Sequence, residues 1–182
     1  MPLLVTFSAG IAGPWRIDSI NPVAGDSLPP ATHLSIHEKD GTTAAASWTL
    51  RGATSNTRYA NRAEVVALQT TQESLGRLSA TRGALIPIRK TEAWWTLAQD
   101  ERRAIFEERS RHIGIGLEYL PAVSRRLHHS RELGEPFDFL TLFEYAPEHA
   151  GDFEDMVARL RETEEWRYVD REVDIRLTRT AP

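Results

Sequence analysis

The chain has 182 residues and a mass of 20.5 kDa, which fits one large domain or two small lobes that share a core. Its apolar content of 41% and charged content of 26% exclude a membrane-spanning chain, a coiled coil and a disordered chain. The net charge of -4 argues against a general nucleic-acid binder. Because the sequence has no cysteine, any metal would have to be bound by histidine, carboxylate or tyrosine.

The first 46 residues predict one strand followed by a long loop. The opening segment, MPLLVTFSAGIAGPWR, is apolar and has no basic residue before Arg16. We therefore interpret it as a first strand rather than a secretory signal, and we expect a cytoplasmic protein. Residues 21–46 are rich in Pro, Gly, Ser and Thr, which predicts a long loop with a short strand at best.

Residues 47–83 predict a strand and then a helix. The segment SWTLRGATSNTRY is typical of a strand, and AEVVALQTTQ has helical periodicity, with Val65, Leu68 and Gln72 on one face. An amide on an otherwise apolar stripe has two interpretations. Gln72 is either a helix-end residue at the edge of the core or a side chain that faces a cavity.

From residue 84 onwards, strand and helix patterns alternate clearly. The segments are, in chain order, the strand ALIPIRK, one helix over TEAWWTLAQDERRAIFEERSRHIGIG, the strands PAVSRRLHHS and FDFLTLFEY, an amphipathic helix over 151–163 and the strand WRYVDREVDIRLTR. Thr96 and Gln99 have the spacing of a capping box. The β-α-β-β-α-β order is that of a ferredoxin-like unit. Helices would cover one face of its sheet, and the N-terminal half, a partner subunit or a large ligand would cover the other.

Two cations are predicted to point into the protein. Alternate residues of a strand share a face, so Arg125 points inwards if Val123 and Leu127 do. A buried guanidinium keeps its charge, so Arg125 needs either a carboxylate within the sheet or an anionic ligand. Lys90, one of two lysines in the chain, ends the ALIPIRK strand on the side of the isoleucines.

His112 is a candidate metal ligand near the end of the long helix. Gly114 and Gly116 follow it, and glycines inside a helix let a flat or bulky group approach the backbone. Two interpretations remain open. His112 is either a surface histidine paired with Glu108, four residues before it, or a metal ligand whose other ring nitrogen is held by an acceptor.

Aromatic and acidic residues add weaker signals. Trp94 and Trp95 are adjacent, and both rarely pack in a core unless a broad apolar ligand or an interface lies nearby. Glu162, Glu164 and Glu165 are either a solvated acidic run or partners for a cation, because carboxylates oppose the dipole at a helix C-terminus. The sequence contains no glycine-rich phosphate loop, metalloprotease motif or nucleophile elbow.

Taken together, these residues resemble the chlorite dismutase family of haem b enzymes. The matching blocks run from about Leu85 to Arg179 and are IPIRKTEAWW, ERRAIFEERSRHIGIGLEYLP, SRRLHHSRELGEPFDFLTLFEY and LRETEEWRYVDREVDIRL. The short N-terminal half resembles the compact, homodimeric branch of the family. The resemblance implies an α+β fold, a dimeric α+β barrel with a reduced N-terminal ferredoxin-like lobe over 1–83 and a haem-binding lobe over 84–182.

The resemblance also implies roles around a haem iron. His112 in SRHIGIG would be the proximal iron ligand, and Lys90 with a C-terminal glutamate would form its hydrogen-bond network. Glu165 is the first choice for that glutamate and Glu162 is the second. Arg125 in LPAVSRRL would be the distal arginine that separates chlorite-degrading members from relatives lacking it.

Three more residues are implied at the haem: Gln72 as the amide partner of the distal arginine, and Trp94 and Trp95 as haem-edge tryptophans. We therefore expect a homodimeric enzyme with haem b as its iron cofactor, which binds chlorite and small anions but no nucleic acid or membrane. It would convert chlorite to chloride and molecular oxygen through a ferryl intermediate and transient hypochlorite. The alternatives are a haem carrier, a coproheme decarboxylase or peroxidase-like relative, and a haem-free barrel that binds another anion.

Overall fold

The computed structural model describes residues 2–39, 45–54 and 58–180. The strands are β1 (Leu4–Gly10), β2 (Trp15–Ala24), β3 (His33–Glu38), β4 (Trp48–Ala53), β5 (Arg82–Lys90), β6 (Ser124–His129), β7 (Phe139–Tyr145) and β8 (Val169–Arg179). The helices are α1 (Arg62–Thr71), α2 (Glu92–Thr96), α3 (Gln99–Arg103) with a π-helical continuation (Ala104–Arg109), α4 (His112–Glu118) and α5 (Ala150–Arg161). Short 3-10 turns span Arg131–Leu133, Pro147–His149 and Glu164–Tyr168. In these ranges, no helix is long and apolar enough to cross a membrane.

The eight strands close into one antiparallel barrel in the order β1-β3-β2-β8-β5-β7-β6-β4. The C-terminal half contributes β8-β5-β7-β6 and the N-terminal half contributes β4-β1-β3-β2, so the same order of first, second, third and fourth strand occurs in both. β2 and β8 pair along their length, whereas β4 and β6 meet at one described pair, Ala53 and His129. The expected mixed α+β fold and the β-α-β-β-α-β order of the C-terminal half are confirmed.

Two apolar cores lie on opposite faces of the C-terminal sheet. The first fills the barrel with side chains from both halves: Val5, Phe7, Ala9, Trp15, Leu34, Trp48, Leu50, Leu85, Phe137, Leu140, Leu142, Val173, Ile175 and Leu177. The second packs the outer face against the helices and contains Ala84, Ile86, Ile115, Val123, Phe143, Tyr145, Phe153, Met156, Val157 and Leu160. The face of the C-terminal sheet that points into the barrel is therefore covered by the N-terminal half, which is one of the three expected possibilities.

The prediction over 21–46, a long loop with a short strand at best, underestimates the strand content of the part that the structure describes. β2 continues to Ala24, and β3 occupies His33–Glu38. Proline has no backbone N–H to donate to a neighbouring strand. β2 tolerates Pro22 because its pairing with β8 shifts register between Pro22 and Ala24, where regular hydrogen bonding is interrupted. Residues 40–44 of the predicted loop and 55–57 of the strand segment that follows lie outside the described residues.

The prediction of one long helix after β5 is also wrong, because the chain breaks between α2 and α3. Ala98 has extended backbone, and its N–H donates to Glu101 Oε2 at 2.7 Å, so Glu101 caps the new helix. The expected capping box of Thr96 and Gln99 is therefore not formed. Instead, the Thr96 hydroxyl donates to the carbonyl oxygen of Ala93 at 2.9 Å.

Alternate residues of β6 face the two cores, as the sequence predicts. Val123, just before the strand, is buried in the helix-side core, and Arg125 and Leu127 line a cavity on that same side. Ser124 and His128 are fully buried, with His128 edge-on to Phe7 inside the barrel. One short strand thus supplies polar groups to both sides of the sheet.

The buried His128 ring makes two hydrogen bonds that suit its neutral form. Nδ1 lies 2.9 Å from the carbonyl oxygen of Leu140, and Nε2 accepts the Nε–H of Arg126 at 3.0 Å. Protonation of Nε2 would replace this acceptor with an N–H that points at the Arg126 guanidinium. Burial, the largest cause, lowers the pKa of His128 from 6.5 to about 4.

This shift predicts a loss of stability in mild acid. Because the unfolded chain binds the His128 proton near pH 6.5 and the folded chain only near pH 4, stability falls as the pH drops between these values. We expect His128 to contribute about 2 kcal/mol to that loss between pH 7 and pH 5. Denaturant unfolding of the wild type and His128→Asn at both pH values measures it. The difference in unfolding free energy between the wild type and His128→Asn should be smaller at pH 5 than at pH 7. An equal pH dependence of the two proteins would contradict the prediction.

Candidate active site

A cavity of about 710 Å³ lies on the helix side of the barrel. Its wall includes Gln72 from the end of α1, Phe106, His112 from α4, Arg125 from β6 and Trp166 from the last 3-10 turn. A smaller space of about 90 Å³ adjoins it and shares Phe106, His112 and Trp166 as walls. The larger volume suits a cofactor or another organic ligand.

His112, Glu165 and Lys90 form a hydrogen-bonded chain at one wall of the cavity. His112 Nδ1 lies 2.6 Å from Glu165 Oε2, and Lys90 Nζ donates to Glu165 Oε1 at 2.8 Å. The backbone N–H of Glu165 also donates to the Ser110 hydroxyl at 2.9 Å. With its Nδ1 proton bonded to the carboxylate, the His112 ring keeps the lone pair of Nε2 for a ligand.

The carboxylate of Glu165 is ionised although it is almost completely buried. Burial alone would raise its pKa, but the hydrogen bonds from His112 and Lys90 and the positive charge of Lys90 outweigh that effect and hold the pKa of Glu165 well below its usual value. Lys90 is buried as well, and its ammonium lies 4.5 Å from the ring centroid of Trp94 and 5.6 Å from that of Trp166. The two rings and the carboxylate together compensate a buried cation.

The local backbone presents His112 at the start of a separate helix, not near the end of a long one as expected. Arg111 has a φ of 52°, which ends the π-helical segment and redirects the chain into α4. The Glu107 carboxylate then accepts the N–H groups of Ile113 at 2.6 Å and Gly114 at 3.1 Å. Glu107 therefore caps the helix and keeps the histidine at its first turn.

The interpretation of His112 as a surface histidine paired with Glu108 is wrong, and the interpretation of the acidic run as solvated is wrong for Glu165. His112 pairs with Glu165 and not with Glu108, although its side chain is still 23% exposed. Glu162 is exposed and Glu164 partly so, with its carboxylate 3.3 Å from the Arg109 guanidinium, while Glu165 turns inwards. The 3-10 turn after α5 changes the helical phase and separates the three glutamates.

Arg125 lines the same cavity, and none of its neighbours in the described chain is a carboxylate within ion-pair distance. Its half-buried side chain extends to Gly116 on α4. Burial lowers the pKa of Arg125, and the more distant charge of Glu107 opposes this effect. Gln72 Nε2 donates to the backbone carbonyl oxygen of Arg125 at 2.6 Å. The Gln72 amide therefore contacts the backbone of Arg125 and not its guanidinium. The alternative expectation, a carboxylate paired with Arg125, is wrong for the described residues.

The adjacent tryptophans lie in different environments. Trp94 is fully buried, lines the smaller space and has an indole Nε1 without a hydrogen-bond partner in the described chain. Trp95 lines neither cavity; its Nε1 donates to Asp138 at 3.2 Å, and the Arg131 guanidinium lies 4.2 Å from its ring centroid. Of the two residues, Trp94 is the one that faces the candidate site.

The sequence did not single out three residues that shape the site. Phe106 stacks on the His112 ring with centroids 4.4 Å apart, and Trp166 lies nearly parallel to it at 6.1 Å. Trp166 Nε1 donates to the buried carboxylate of Glu172 at 2.8 Å, which fixes the indole. The position of Trp166 next to Glu165 is a signal in the sequence. No sequence signal points to Phe106 or Glu172, because only folding brings these two residues to the cavity.

The model of the family described as chlorite dismutase matches residues 34–181. The crystal structure of dimeric chlorite dismutases from Nitrobacter winogradskyi is 57% identical, with a TM-score of 0.90, and the match covers 97% of this chain and 99% of that chain. Two mutant chlorite dismutases from Candidatus Nitrospira defluvii are 21% identical, with TM-scores of 0.69 and 0.70 over 99% of this chain and 91% of those chains, and show the fold alone. No curated protein matches the sequence.

Proposed function

The chain belongs to the chlorite dismutase family, and from this premise we propose that it converts chlorite to chloride and molecular oxygen with haem b bound in the 710 Å³ cavity. One observation carries the proposal. A histidine with a free ring nitrogen and an arginine without a carboxylate partner line the same cavity from two different elements, α4 and β6. An iron ligand and a cationic anion site are the two groups that this chemistry needs.

The residues around the cavity fit haem b. His112 would bind the iron through Nε2, with Glu165 and Lys90 holding the ring, as metal-ligating histidines commonly require. Trp94 Nε1 and both ring nitrogens of His129 are buried without partners and line the adjoining smaller space. The Trp94 N–H and the one protonated ring nitrogen of a neutral His129 are donors that would suit the carboxylates at the rim of the porphyrin. When bound, haem iron would supply the redox chemistry for oxygen transfer from chlorite.

We assign separate tasks to the chain's own residues. The ionised Glu165 keeps the Nδ1 proton of His112 in place and makes the ring a better donor to the metal. Arg125 attracts chlorite and donates N–H groups to the oxyanion, and it keeps hypochlorite in the cavity until the oxygen–oxygen bond forms. Gln72 fixes the backbone of Arg125 without neutralising its charge.

Haem reconstitution and an oxygen electrode test this function. The purified chain should take up one haem b with a Soret band, and added chlorite should release one molecule of oxygen per chlorite consumed. A Soret band without oxygen release would favour the haem carrier or the decarboxylase and peroxidase-like alternatives. A chain that binds no haem would overturn the proposal.

Glu165→Gln is expected to weaken haem binding or activity by about 10–100-fold, because the His112 ring loses its ionised acceptor. The ferric/ferrous potential should also rise, since a less basic imidazole stabilises ferric iron less well. Glu162→Gln is the matched control, because Glu162 is exposed and lies only three residues away. Spectroelectrochemistry of both variants measures the potentials. An unchanged potential in Glu165→Gln, or an equal shift in the control, would contradict the prediction.

We also propose a homodimer of two-lobed chains. The same strand order in both halves supports two ferredoxin-like lobes, 1–83 and 84–182, with the helices of the N-terminal lobe reduced. The close structural relative is described as dimeric, which supports the same assembly here. Sedimentation equilibrium should therefore give twice the chain mass of 20.5 kDa.

A further inference from the structure

Asp138 is a buried carboxylate that lies just before β7 and lines neither cavity. Its Oδ2 accepts the backbone N–H of Lys90 at 2.7 Å and the Nε1–H of Trp95 at 3.2 Å, and its Oδ1 lies 3.4 Å from Nη1 of Arg131. We infer that Asp138 is a positioning residue: it fixes the backbone of Lys90 and thereby places the Lys90 ammonium in the hydrogen-bonded chain to His112.

Lys90 needs this support because it is the last residue of β5, where regular strand pairing stops. The pairs between β5 and β7 end at Ile88, and the pairing of β5 with β8 shifts register immediately before Lys90. A buried backbone N–H without an acceptor is destabilising. The Asp138 carboxylate supplies the acceptor for Lys90, and the next N–H, that of Thr91, donates to the carbonyl oxygen of Tyr168 at 2.7 Å. A side chain thus holds the main chain at Lys90 where the ladder becomes irregular.

Asp138 is itself fixed through both its main chain and its side chain. Its N–H donates to the carbonyl oxygen of Ile88 at 2.9 Å, and its own carbonyl oxygen accepts the N–H of Ser130 at 2.9 Å. Trp95, which donates to the carboxylate, is in turn covered by the Arg131 guanidinium, 4.2 Å from the ring centroid. The carboxylate therefore has a defined position. Since neither Asp138 nor Trp95 lines a cavity, a cofactor that fills the cavities leaves this acceptor in place.

The position of the Lys90 backbone matters because the Lys90 ammonium and the His112 ring share one carboxylate. Nζ of Lys90 donates to Oε1 of Glu165 at 2.8 Å, and Nδ1 of His112 lies 2.6 Å from Oε2. A lysine side chain is long and flexible, so fixing its backbone limits where the buried ammonium lies. Displacing the ammonium would change the charge on Glu165 and hence the basicity of the His112 ring. This step rests on the proposed function, in which His112 binds the haem iron.

Three variants separate the acceptor from other effects at this end of β5. Asp138→Ala removes the acceptor of the Lys90 N–H, whereas Asp138→Asn keeps an oxygen that can accept it and should behave like the wild type. Asp170→Ala is the matched control. Its carboxylate accepts the Nε–H of Arg89 at 2.8 Å, so the substitution removes an aspartate beside the same strand end without touching the Lys90 main chain.

Hydrogen exchange of the Lys90 amide tests the contact without activity. Exchange is measured by mass spectrometry on the full chain, with and without haem. The amide should be protected in the wild type, Asp138→Asn and Asp170→Ala, and should exchange about tenfold faster in Asp138→Ala, the effect of losing one hydrogen bond. Rapid exchange of this amide in the folded wild type would overturn the inference, whether or not the alanine variant folds.

The ferric/ferrous potential and the rate of haem loss test the consequence of the contact. Asp138→Ala should shift the potential in the same direction as Lys90→Met and should speed transfer of haem to apomyoglobin by about tenfold, the lower end of the usual effect of losing support for a metal ligand. In the Lys90→Met background, Asp138→Ala should change neither quantity further, because there is no ammonium left to place. A general loss of stability would not depend on Lys90 in this way. Asp138→Asn and Asp170→Ala should match the wild type.

The outcomes separate this inference from the proposed function. An unchanged potential in Asp138→Ala, or an equal shift with and without Lys90, would overturn the positioning role even if the wild type degrades chlorite. Conversely, a wild type that binds haem but releases no oxygen from chlorite would refute the proposed reaction and leave the positioning role supported by the potentials. If the chain takes up no haem, the proposed function fails, and exchange of the Lys90 amide alone decides whether Asp138 fixes Lys90.

Discussion

Replacing His112 by alanine is expected to abolish stoichiometric haem binding, seen as loss of the Soret band after reconstitution. His112 is the histidine whose Nδ1 is bonded to an ionised, buried carboxylate while its ring lines the 710 Å³ cavity. Among the described residues that line this cavity, no second histidine replaces it, Lys90 is already bonded to Glu165, and Phe106 and Trp166 are hydrocarbon and indole surfaces. The iron would therefore lose the ligand that His112 provides.

Two further variants provide a control and a rescue test for the His112 experiment. His149→Ala removes a half-exposed histidine that is bonded to Asp152 at 2.8 Å, outside both cavities, and should leave the Soret band unchanged. His112→Gly opens space beside Glu165, and added imidazole should restore a six- or five-coordinate spectrum. A normal Soret band and full activity in His112→Ala would refute the assignment, and so would a failure of imidazole to change the spectrum of a folded His112→Gly chain.

Local patterns were sufficient to predict the C-terminal strands. Hydrophobic alternation and flanking turn residues predicted the segments that became β5, β6, β7 and β8, and strand parity placed Arg125 on the same side as Val123. These features depend on neighbouring residues only, so the sequence determines them directly. The N-terminal strands were harder, because the bulged β2 carries Pro22 where a regular strand would not.

Contacts between distant residues were not predictable from pattern. The chain from Lys90 through Glu165 to His112 joins three elements, and the choice between Glu162 and Glu165 depends on a 3-10 turn that shifts the helical phase. The family resemblance ranked Glu165 first, and the geometry brings Glu165 to His112.

Arg125→Ala is expected to bind haem but to let hypochlorite escape from the cavity. Haem binding should persist because His112, Glu165 and Lys90 lie on other elements than β6 and bond to one another. Chlorite turnover should continue at a reduced rate, since the metal site is intact. Among the described residues on the cavity wall, Arg125 is the arginine without a carboxylate partner, so its loss would remove the directed N–H donors that hold the oxyanion in place.

The measurement must separate attraction of chlorite from retention of hypochlorite. Monochlorodimedone traps hypochlorite that escapes, so the amount trapped per oxygen formed should rise in Arg125→Ala, and the trap should slow bleaching of the haem by escaped oxidant. Arg16→Ala controls for the loss of one positive charge, because Arg16 lies on the surface of β2 beside Asp18. Arg125→Lys keeps the charge and loses the planar donor fork, so it should recover chlorite affinity better than retention. If only KM rises in Arg125→Ala while leakage and enzyme lifetime match the wild type, the arginine recruits substrate and the retention role is wrong.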